Sequence, residues 1–506
     1  MRAALLALFA VSCGAARWPH VLDPADIVEL SEGKPRIRRL RDLGGVHLGR
    51  PGPLHPEPDG AFTVGELILI EGSGFGRQPT VEIGGRPAEV LWRTAGGGII
   101  VRIPAGVGVG PQPVAVSTAT ARAETLVPLR RLAVVLDVHQ GVLHTVAVAG
   151  GSALPPQLGT VGQPRRLPGA RHLVLAPTGA AAYVVQTAAA GDQVAIVDLA
   201  SPEASRAAEV RPLAHRVQAV AAAAQAPVVA FVGDDQVTLW QVQSPRRPLP
   251  WNAAPLPEPA RGAQAAALDP TGRLLALLLP EGNRVALCQV QPTERGVQPV
   301  LVAQAEVLPG ARQRLLADLA FAPDGQSVWV LSGDVPAGRS AGHQPTRLSL
   351  LRLGTSDREA GRMQGELSLV RTVELAEAGA PVQLRLARPP PAAGTTIRSA
   401  PEGAVAFVTT VAPEALAGAA GGGTLLRADS SGQTTVLYAG EELPGGLDLT
   451  PDGGVAVVGL VRPGSQGLAV LAAHTEMVST LSIPLGAAAE AHRRPPFPSL
   501  RVAVQP

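Results

Sequence analysis

The sequence predicts an all-β chain, with an N-terminal β-sandwich followed by a β-propeller of about seven blades. Three observations carry this prediction. A turn of the form Pro-X-Gly between two short apolar segments recurs along the C-terminal three quarters of the chain. The 57 glycines and 49 prolines supply many tight connections. Apolar stripes with a helical period are scarce, so the apolar residues are expected in strands.

The repeated turn sets the architecture of residues 130–506. Gly179 and Gly272 lie 93 positions apart, which fits two repeats of about 46 residues. A complete unit reads RHLVLAPTG, AAAYVVQ, QVAIVDL and SRAAEVR, and these segments predict a four-stranded sheet. These units resemble the YVTN-type and WD-repeat-like blades of bacterial β-propellers, although neither Trp-Asp nor the YVTN tetrad is present. The copies of the turn end at Gly179, Gly272, Gly325, Gly403 and Gly453.

The two ends of this repeat region complement each other. The first unit starts with RLAVVLD and lacks the strand that elsewhere precedes the Pro-Gly turn. The last segment, SLRVAVQP at 499–506, has the pattern of that missing strand. We therefore expect the C-terminal strand to pair into the first blade and close the ring, which removes an exposed sheet edge.

Residues 36–128 predict a separate β-sandwich of immunoglobulin size. The order of the segments ELILIEGSGFG, TVEIGGRPAEVLW, GIIVRIPAG and QPVAVSTA resembles the IPT/TIG family. The resemblance implies a spacer or binding module, and Phe75 is expected to fill its core. The positions that carry it are Gly72, Gly74, Phe75, Gly76, Gly84, Gly85 and Pro104.

Residues 1–13 predict an export signal. Arg2 precedes a short apolar stretch, and Ala10-Val11-Ser12-Cys13 resembles the bacterial lipobox. The resemblance implies cleavage before Cys13, acylation of that residue and anchoring to a bacterial membrane. Residues 14–35 would form the tether. The alternative is an ordinary signal cut after Ala16, which would give a soluble secreted or periplasmic protein.

The charge balance and the cysteine count exclude several classes. A net charge of +2 gives no electrostatic case for nucleic acid as a partner. Lys34 is the only lysine, so Schiff-base chemistry has no candidate in the folded body. The other cysteine, Cys288, is expected to be a buried apolar residue. The basic run PRIRRLR at 35–41 could contact acidic lipid or polymer, and the simpler interpretation is a solvated surface.

The chemical motifs are weak. Asp137, His139 and His144 are the candidate metal ligands, but two of them flank a turn and no second histidine pair supports them. Gly338-Arg339-Ser340-Ala341-Gly342 matches a hydrolase nucleophile pattern but lies in a loop. The sequence therefore predicts no metal and no cofactor.

Three long loops are the candidate binding face: 333–345, 387–394 and 412–423. Their polar residues Arg339, His343, Arg388 and Glu414 are expected on one side of neighbouring blades. The sequence thus favours a noncatalytic, envelope-anchored binding or scaffold protein whose partner is another envelope or extracellular protein or a surface polymer. The alternatives are a lactonase-like propeller hydrolase, which needs acidic or histidine side chains at the central opening, and an accessory subunit of a surface machine.

Overall fold

The computed structural model describes residues 34–43, 62–94, 97–104, 107–151, 154–177, 179, 181–189, 191–199, 209–242, 249–250, 253–293, 296–307, 314–334, 346–356, 364–375, 379–387, 404–412, 422–429, 431–450, 454–461, 467–474, 477–484 and 500–504. Within these ranges the regular structure is β-strand, apart from a short 3-10 helix at Glu258–Ala260. No helix in the described ranges has the length and apolar character needed to cross a membrane. The all-β prediction is confirmed.

The chain forms two compact units, the first of which contains the described residues up to Leu132 together with Val148–Leu154 and Leu199. One of its sheets has the antiparallel order β1-β3-β7-β6, and the other runs β9-β8-β4-β5, with β2 added parallel to β9. The strands are β1 (Arg36–Asp42), β2 (Phe62–Thr63), β3 (Leu67–Ser73), β4 (Thr80–Ile83), β5 (Arg86–Ala88), β6 (Val90–Arg93), β7 (Ile99–Arg102), β8 (Gly110–Ser117) and the first half of β9 (Arg122–Asp137).

Residues from both sheets fill the core of this unit. Ile68 and Ile70 of β3 pack in the same cluster as Val114 and Val116 of β8. Phe75 belongs to this cluster and is 2% exposed, which confirms its expected role as a core residue. Of the five glycines that carry the resemblance, Gly74, Gly76, Gly84 and Gly85 have the positive φ that glycine tolerates. Gly72 does not, and it lies against the backbone of Arg36 in β1.

The second unit contains the repeats. Its described residues form seven sheets of four main strands each, which we call blades 1 to 7. Blade 1 has the order β38-β9-β10-β11, and blades 2 to 7 take their strands in chain order. The strands are β10 (Val142–Gly151), β11 (Leu154–Thr160), β12 (Arg165–Arg166), β13 (Ala170–Leu175), β14 (Ala181–Ala188), β15 (Gly191–Asp198), β16 (Glu209–Pro212), β17 (Ala219–Ala222), β18 (Val228–Val232), β19 (Gln236–Gln241), β20 (Leu249–Pro250), β21 (Ala254–Pro255), β22 (Ala265–Leu268), β23 (Leu274–Leu279), β24 (Arg284–Thr293), β25 (Gly296–Glu306), β26 (Arg314–Phe321), β27 (Ser327–Asp334), β28 (Thr346–Ser356), β29 (Gln364–Leu375), β30 (Ala380–Ala387), β31 (Val405–Val411), β32 (Gly423–Ala428), β33 (Thr434–Gly440), β34 (Leu443–Leu449), β35 (Ala456–Val461), β36 (Gly467–His474), β37 (Met477–Pro484) and β38 (Leu500–Val504).

The first strand of each blade lies beside the first strand of the next. The order of these inner strands is β13-β17-β22-β26-β30-β34-β38, and β38 then contacts β13 again. Four-stranded antiparallel sheets whose inner strands form a closed circle define a β-propeller. The predicted propeller and its count of about seven blades are confirmed by this arrangement.

The final strand closes the ring, as the sequence predicts. β38 pairs antiparallel with β9, in the register Leu500↔Asp137 and Val504↔Ala133. It supplies the inner strand that blade 1 lacks in the sequence. Leu500 and Val502 are 1% and 4% exposed, so this strand is part of the core and not a loose tail.

Apolar side chains fill the spaces between neighbouring blades. Both faces of each central strand are buried, because every blade packs between two others; all five residues of β18 are buried, for example. Cys288 of β24 lies in the cluster that joins blades 3 and 4 and is fully buried, as expected. The turn glycines Gly179, Gly272 and Gly325 have φ near +70°, which explains why the repeat retains glycine there.

Candidate functional site

The predicted lipid site and binding face lie outside the described residues. This holds for Cys13 and for Arg339, His343, Arg388 and Glu414. The strands that flank the three loops are described, however, and they show from which end of its blade each loop starts.

The expectation that all three loops lie on one side is wrong for the loop that carries Arg388. The segment 388–403 follows β30 and precedes β31, so it connects the first and second strands of blade 6. The segments 335–345 and 413–421 connect second and third strands, in blades 5 and 6. Successive connections in an antiparallel sheet start from opposite ends of the strands. Arg388 therefore follows a strand end opposite to those that flank the other two loops.

The candidate metal ligands do not form a site. The Asp137 carboxylate accepts hydrogen bonds from the backbone N–H groups of His139 and Gln140, at 3.0 and 3.2 Å, and so stabilises the turn between β9 and β10. His144 is buried, and burial lowers its pKa more than the nearby Asp137 raises it. No group of three or more His, Cys, Asp and Glu residues in the described part of the chain could hold a metal ion.

The inner strands carry a different polar cluster, which lies on blades 5, 6 and 7 and the closing strand. The Asp318 carboxylate of β26 accepts a hydrogen bond from the N–H of Leu384 in β30, at 3.0 Å. The Asp448 carboxylate of β34 accepts one from the N–H of Val504 in β38, at 2.7 Å. In each case a side chain of one inner strand holds the backbone of the next. Because inner strands surround the central channel of a propeller, these groups belong to the channel wall.

A glutamine makes the equivalent bond between blades 6 and 7. The side-chain oxygen of Gln383 in β30 accepts from the N–H of Leu447 in β34, at 2.5 Å. The bonds at Asp318, Gln383 and Asp448 thus form a series across four neighbouring inner strands. We call these three residues the clasp.

Arg385 connects the two carboxylates of the clasp. Its Nη1 lies 3.1 Å from Asp318 Oδ2, and its Nε lies 3.4 Å from Asp448 Oδ1. The exposed fractions of the Arg385, Asp318 and Asp448 side chains are 31%, 15% and 26%. Burial raises the pKa of both carboxyl groups, and Arg385 and the backbone N–H donors act against that rise.

Arg501 and His172 extend the polar wall to blades 1 and 2. Burial lowers the pKa of Arg501, and Asp318 acts in the opposite direction. Burial, together with the positive charges of Arg501 and Arg171, lowers the pKa of His172 to about 4. His172 is therefore neutral at ordinary pH, and the charges near it are two arginines and Asp192.

Blades 2 and 3 are joined by another carboxylate. The Asp192 side chain of β15 accepts from the N–H of Val217 at 2.7 Å and from Arg171 at 2.5 Å. Asp192 is fully buried and Arg171 is partly exposed. Because Arg171 stays partly exposed, it balances the charge of Asp192 from the solvent side, while the N–H of Val217 connects Asp192 to blade 3.

The cluster is better suited to holding blades together than to catalysis. A general acid or base needs an oxygen within reach of a substrate. Here Oδ2 of Asp318 accepts from both Leu384 and Arg385, while its Oδ1 accepts from the N–H of Leu319 at 2.9 Å. Both oxygens of Asp448 are also engaged, one by Val504 and one by Arg385.

Sequence reasoning missed this cluster, because the inner strands are mostly composed of Ala, Val and Leu. That composition holds for blades 3 and 4, where β17 and β22 read AVAA and AAAL. It does not hold for LLADLAF, PVQLRLA and LPGGLDL, which contain the clasp residues. The available signal for the clasp was a charged or amide residue within an apolar segment directly before the turn.

The strand pairing and the closed circle of inner strands make this chain a β-propeller protein. No protein-family model matches the chain, and no curated protein matches it. Among solved structures, it is similar to the β-propeller domain of Cps50 (Swd1) from Myceliophteria thermophila, with 12% identity, a TM-score of 0.41, and coverage of 63% of this chain and 88% of the other.

Two bacterial structures are also similar. A protein from Lactobacillus plantarum has 14% identity and a TM-score of 0.45, with 74% of this chain and 100% of the other covered. An auxiliary nutrient binding protein from Bacteroides ovatus has 13% identity and a TM-score of 0.35, with 79% and 93% covered. Likenesses this weak carry no argument about function, and the propeller architecture rests on the strand pairing of the chain itself.

Proposed function

We propose that this chain is a noncatalytic, exported binding or scaffold protein that uses one face of its propeller to hold a partner. The observation that carries this proposal is the state of the channel wall, where neighbouring backbone N–H groups and Arg385 engage the oxygens of Asp318 and Asp448. Because these carboxylates hold the blades together, we assign partner binding to the loops. Loops on a rigid scaffold commonly form binding surfaces.

The partner is another envelope or extracellular protein or a surface polymer. We place its binding face on the loops that connect second and third strands in blades 5 and 6, which contain Arg339, His343 and Glu414. The position of the flanking strand ends supports this choice and separates Arg388 from the face.

The N-terminal unit is, in this proposal, an immunoglobulin-like sandwich of the IPT/TIG type that serves as a spacer. The pairing of two antiparallel sheets over one apolar core supports it. Lipid at Cys13 anchors the chain to a bacterial membrane. Replacing Cys13 by Ala should release the protein from the membrane fraction and abolish incorporation of radiolabelled fatty acid, whereas the wild-type chain should show both properties.

The binding face is tested by affinity purification of the tagged chain from cross-linked cell envelopes. Arg339→Ala, His343→Ala and Glu414→Ala should each lower the recovery of the co-purifying partner. Arg388→Ala is the matched control, because its loop starts from the other end of the blade, and recovery should not change. Equal recovery with all four variants would exclude this face.

The hydrolase alternative is supported by the carboxylates and the histidine at the channel wall, which are the residue types that such an enzyme needs. Lactone hydrolysis by the purified chain, lost in Asp318→Asn at unchanged fold, would favour the enzyme. In the proposed function, Asp318→Asn instead lowers stability, because an amide replaces a charge-assisted acceptor worth about 1.5–3 kcal/mol. A fixed complex recovered by detergent extraction would favour an accessory subunit of a surface machine.

A further inference from the structure

The edge strand β1 of the first unit is basic. Lys34 and the arginines of β1 place five positive charges within eight positions, and no acidic residue lies among them. Because the net charge of the whole chain is only +2, the rest of the chain is slightly acidic. The positive charge is therefore concentrated on this one segment. The four arginines of the strand are Arg36, Arg38, Arg39 and Arg41, and all are exposed.

The fold presents these arginines to solvent. Within the described residues β1 pairs only with β3, so its other edge is open. Ile37 and Leu40 pack against the core of the unit. The register of β1 shifts between Ile37 and Arg39, which marks Arg38 as the residue of a bulge. A bulge alters the direction of the side chains around it. Arginines therefore occupy three of the four positions between the half-buried Ile37 and the buried Asp42.

Asp42 at the end of β1 and Glu71 of β3 offset this charge only in part. Glu71 of β3 lies 3.3 Å from Arg41. Both side chains are substantially exposed, so this pair is weak. Arg38, Arg41 and Glu71 also border a groove of about 300 Å³ whose lining includes Leu69 and Thr94. The groove presents guanidinium groups, which bind phosphate, whereas Leu69 is only 3% exposed and adds little apolar surface.

A simpler role for these arginines is to protect the edge strand, because charges on an edge strand prevent another strand from pairing with it. Edge protection needs charge of either sign. Edge protection does not explain why all the charges from Lys34 to Arg41 are positive, or why they lie beside a groove.

We propose that β1 is a second membrane contact, which binds the headgroups of anionic phospholipids. The proposal rests on the proposed lipid at Cys13 for its location, because the 20 residues between Cys13 and Lys34 span at most about 70 Å and keep the strand within reach of the bilayer. A basic patch beside a lipid anchor adds electrostatic attraction to anionic lipids. The basic patch would orient the N-terminal unit on the membrane surface.

The test uses the full chain with Cys13→Ala, which cannot be acylated, and measures co-sedimentation with vesicles. Vesicles that contain phosphatidylglycerol should bind the protein, and vesicles of phosphatidylcholine alone should not. Each arginine near an anionic surface contributes about fivefold in partitioning, so Arg36→Gln, Arg38→Gln and Arg39→Gln together should weaken binding about a hundredfold. Salt at about 1 M, where the Debye length is about 3 Å, should abolish it.

The matched control carries three exposed arginines of the second unit changed to glutamine, Arg166, Arg273 and Arg352, which alters net charge by the same amount. This variant should bind like the parent. Equal weakening in both triple variants would show a net-charge effect and overturn the proposal, as would binding to phosphatidylcholine or no vesicle binding at all. Excess inorganic phosphate that competes fully would locate a free-phosphate site in place of a lipid surface. Because the assay omits the acyl chain, its failure is distinguishable from failure of anchoring at Cys13.

Discussion

Replacing Val502 by alanine tests whether the closing strand supports the propeller. Val502 is 4% exposed and lies in the middle of β38. The change removes two methyl-sized groups, which at about 0.8 kcal/mol each gives about 1.6 kcal/mol of lost burial. Its Cγ2 lies close to Gly446 and Gly459, at 3.0 and 3.2 Å from where their Cβ atoms would be. Glycines have no side chain that could move into the gap, so a cavity cost is added and the expected total is about 2–3 kcal/mol.

The control for this change is Val436→Ala. Val436 lies in the outer strand β33 of the same unit and is 48% exposed. The substitution is chemically identical, so the difference in strand propensity between Val and Ala cancels in the comparison. We expect the control to change the free energy of unfolding by less than about 0.5 kcal/mol.

The measurement is urea unfolding of both variants, followed by circular dichroism and by tryptophan fluorescence. A stronger version removes residues 500–506, and with them the buried side chains of Leu500, Val502 and Val504 and the hydrogen bond from Val504 to Asp448. At about 1.5–3 kcal/mol per side chain, this loss approaches the whole stability of a typical domain. If Val502→Ala behaved like Val436→Ala, or if the truncated chain melted like the parent, the closing strand would not support the ring.

Three further outcomes follow from the structure. Folding lowers the pKa of His172 from 6.5 to about 4, so the unfolded chain binds more protons than the folded chain between these two pH values. The free energy of unfolding should therefore drop, by up to about 3 kcal/mol, as the pH falls through this window. His172→Asn should flatten this dependence in melts at pH about 5 and 7.5. Gly446→Ala should destabilise the closed ring, because the new Cβ would lie 2.7 Å from the backbone nitrogen of Val502, and a variant that melts like the parent would contradict the close contact between blade 7 and β38. Burial raises the pKa of Cys288 to about 12, so in the Cys13→Ala chain Ellman's reagent should react only after denaturant is added, and rapid reaction of the native protein would contradict the burial.

The features that the sequence predicts correctly are those that act locally. The left-handed glycines Gly179, Gly272 and Gly325 are visible because each turn needs that backbone conformation whatever lies around it. The closing strand is visible because it repeats the alternation of the other inner strands. Phe75 is predictable because a large aromatic side chain between two turn glycines must be buried somewhere.

The clasp could not be derived in the same way. The Asp318–Leu384 and Asp448–Val504 hydrogen bonds join residues 66 and 56 positions apart, and they form only because consecutive inner strands lie side by side in the ring. The position of Arg388 was wrong for a related reason. The segment LRLARPP resembles a connection, but its first part is the inner strand β30, which reverses the end from which the loop starts.

The clasp also explains how a ring closed without a covalent link keeps its register. An apolar strand such as β38 could slide by two residues against β9 and still bury the same face. In the observed register the N–H of Val504 donates to Asp448, and Leu500 lies opposite Asp137. A two-residue slip that brought Pro506 into the place of Val504 would leave the Asp448 carboxylate without its donor, because proline has no backbone N–H, and this is costly. The hydrogen bond at Asp448 therefore disfavours one of the alternative closures that the apolar pattern permits, and the clasp residues that lead up to the closing strand lie in blades 5 to 7.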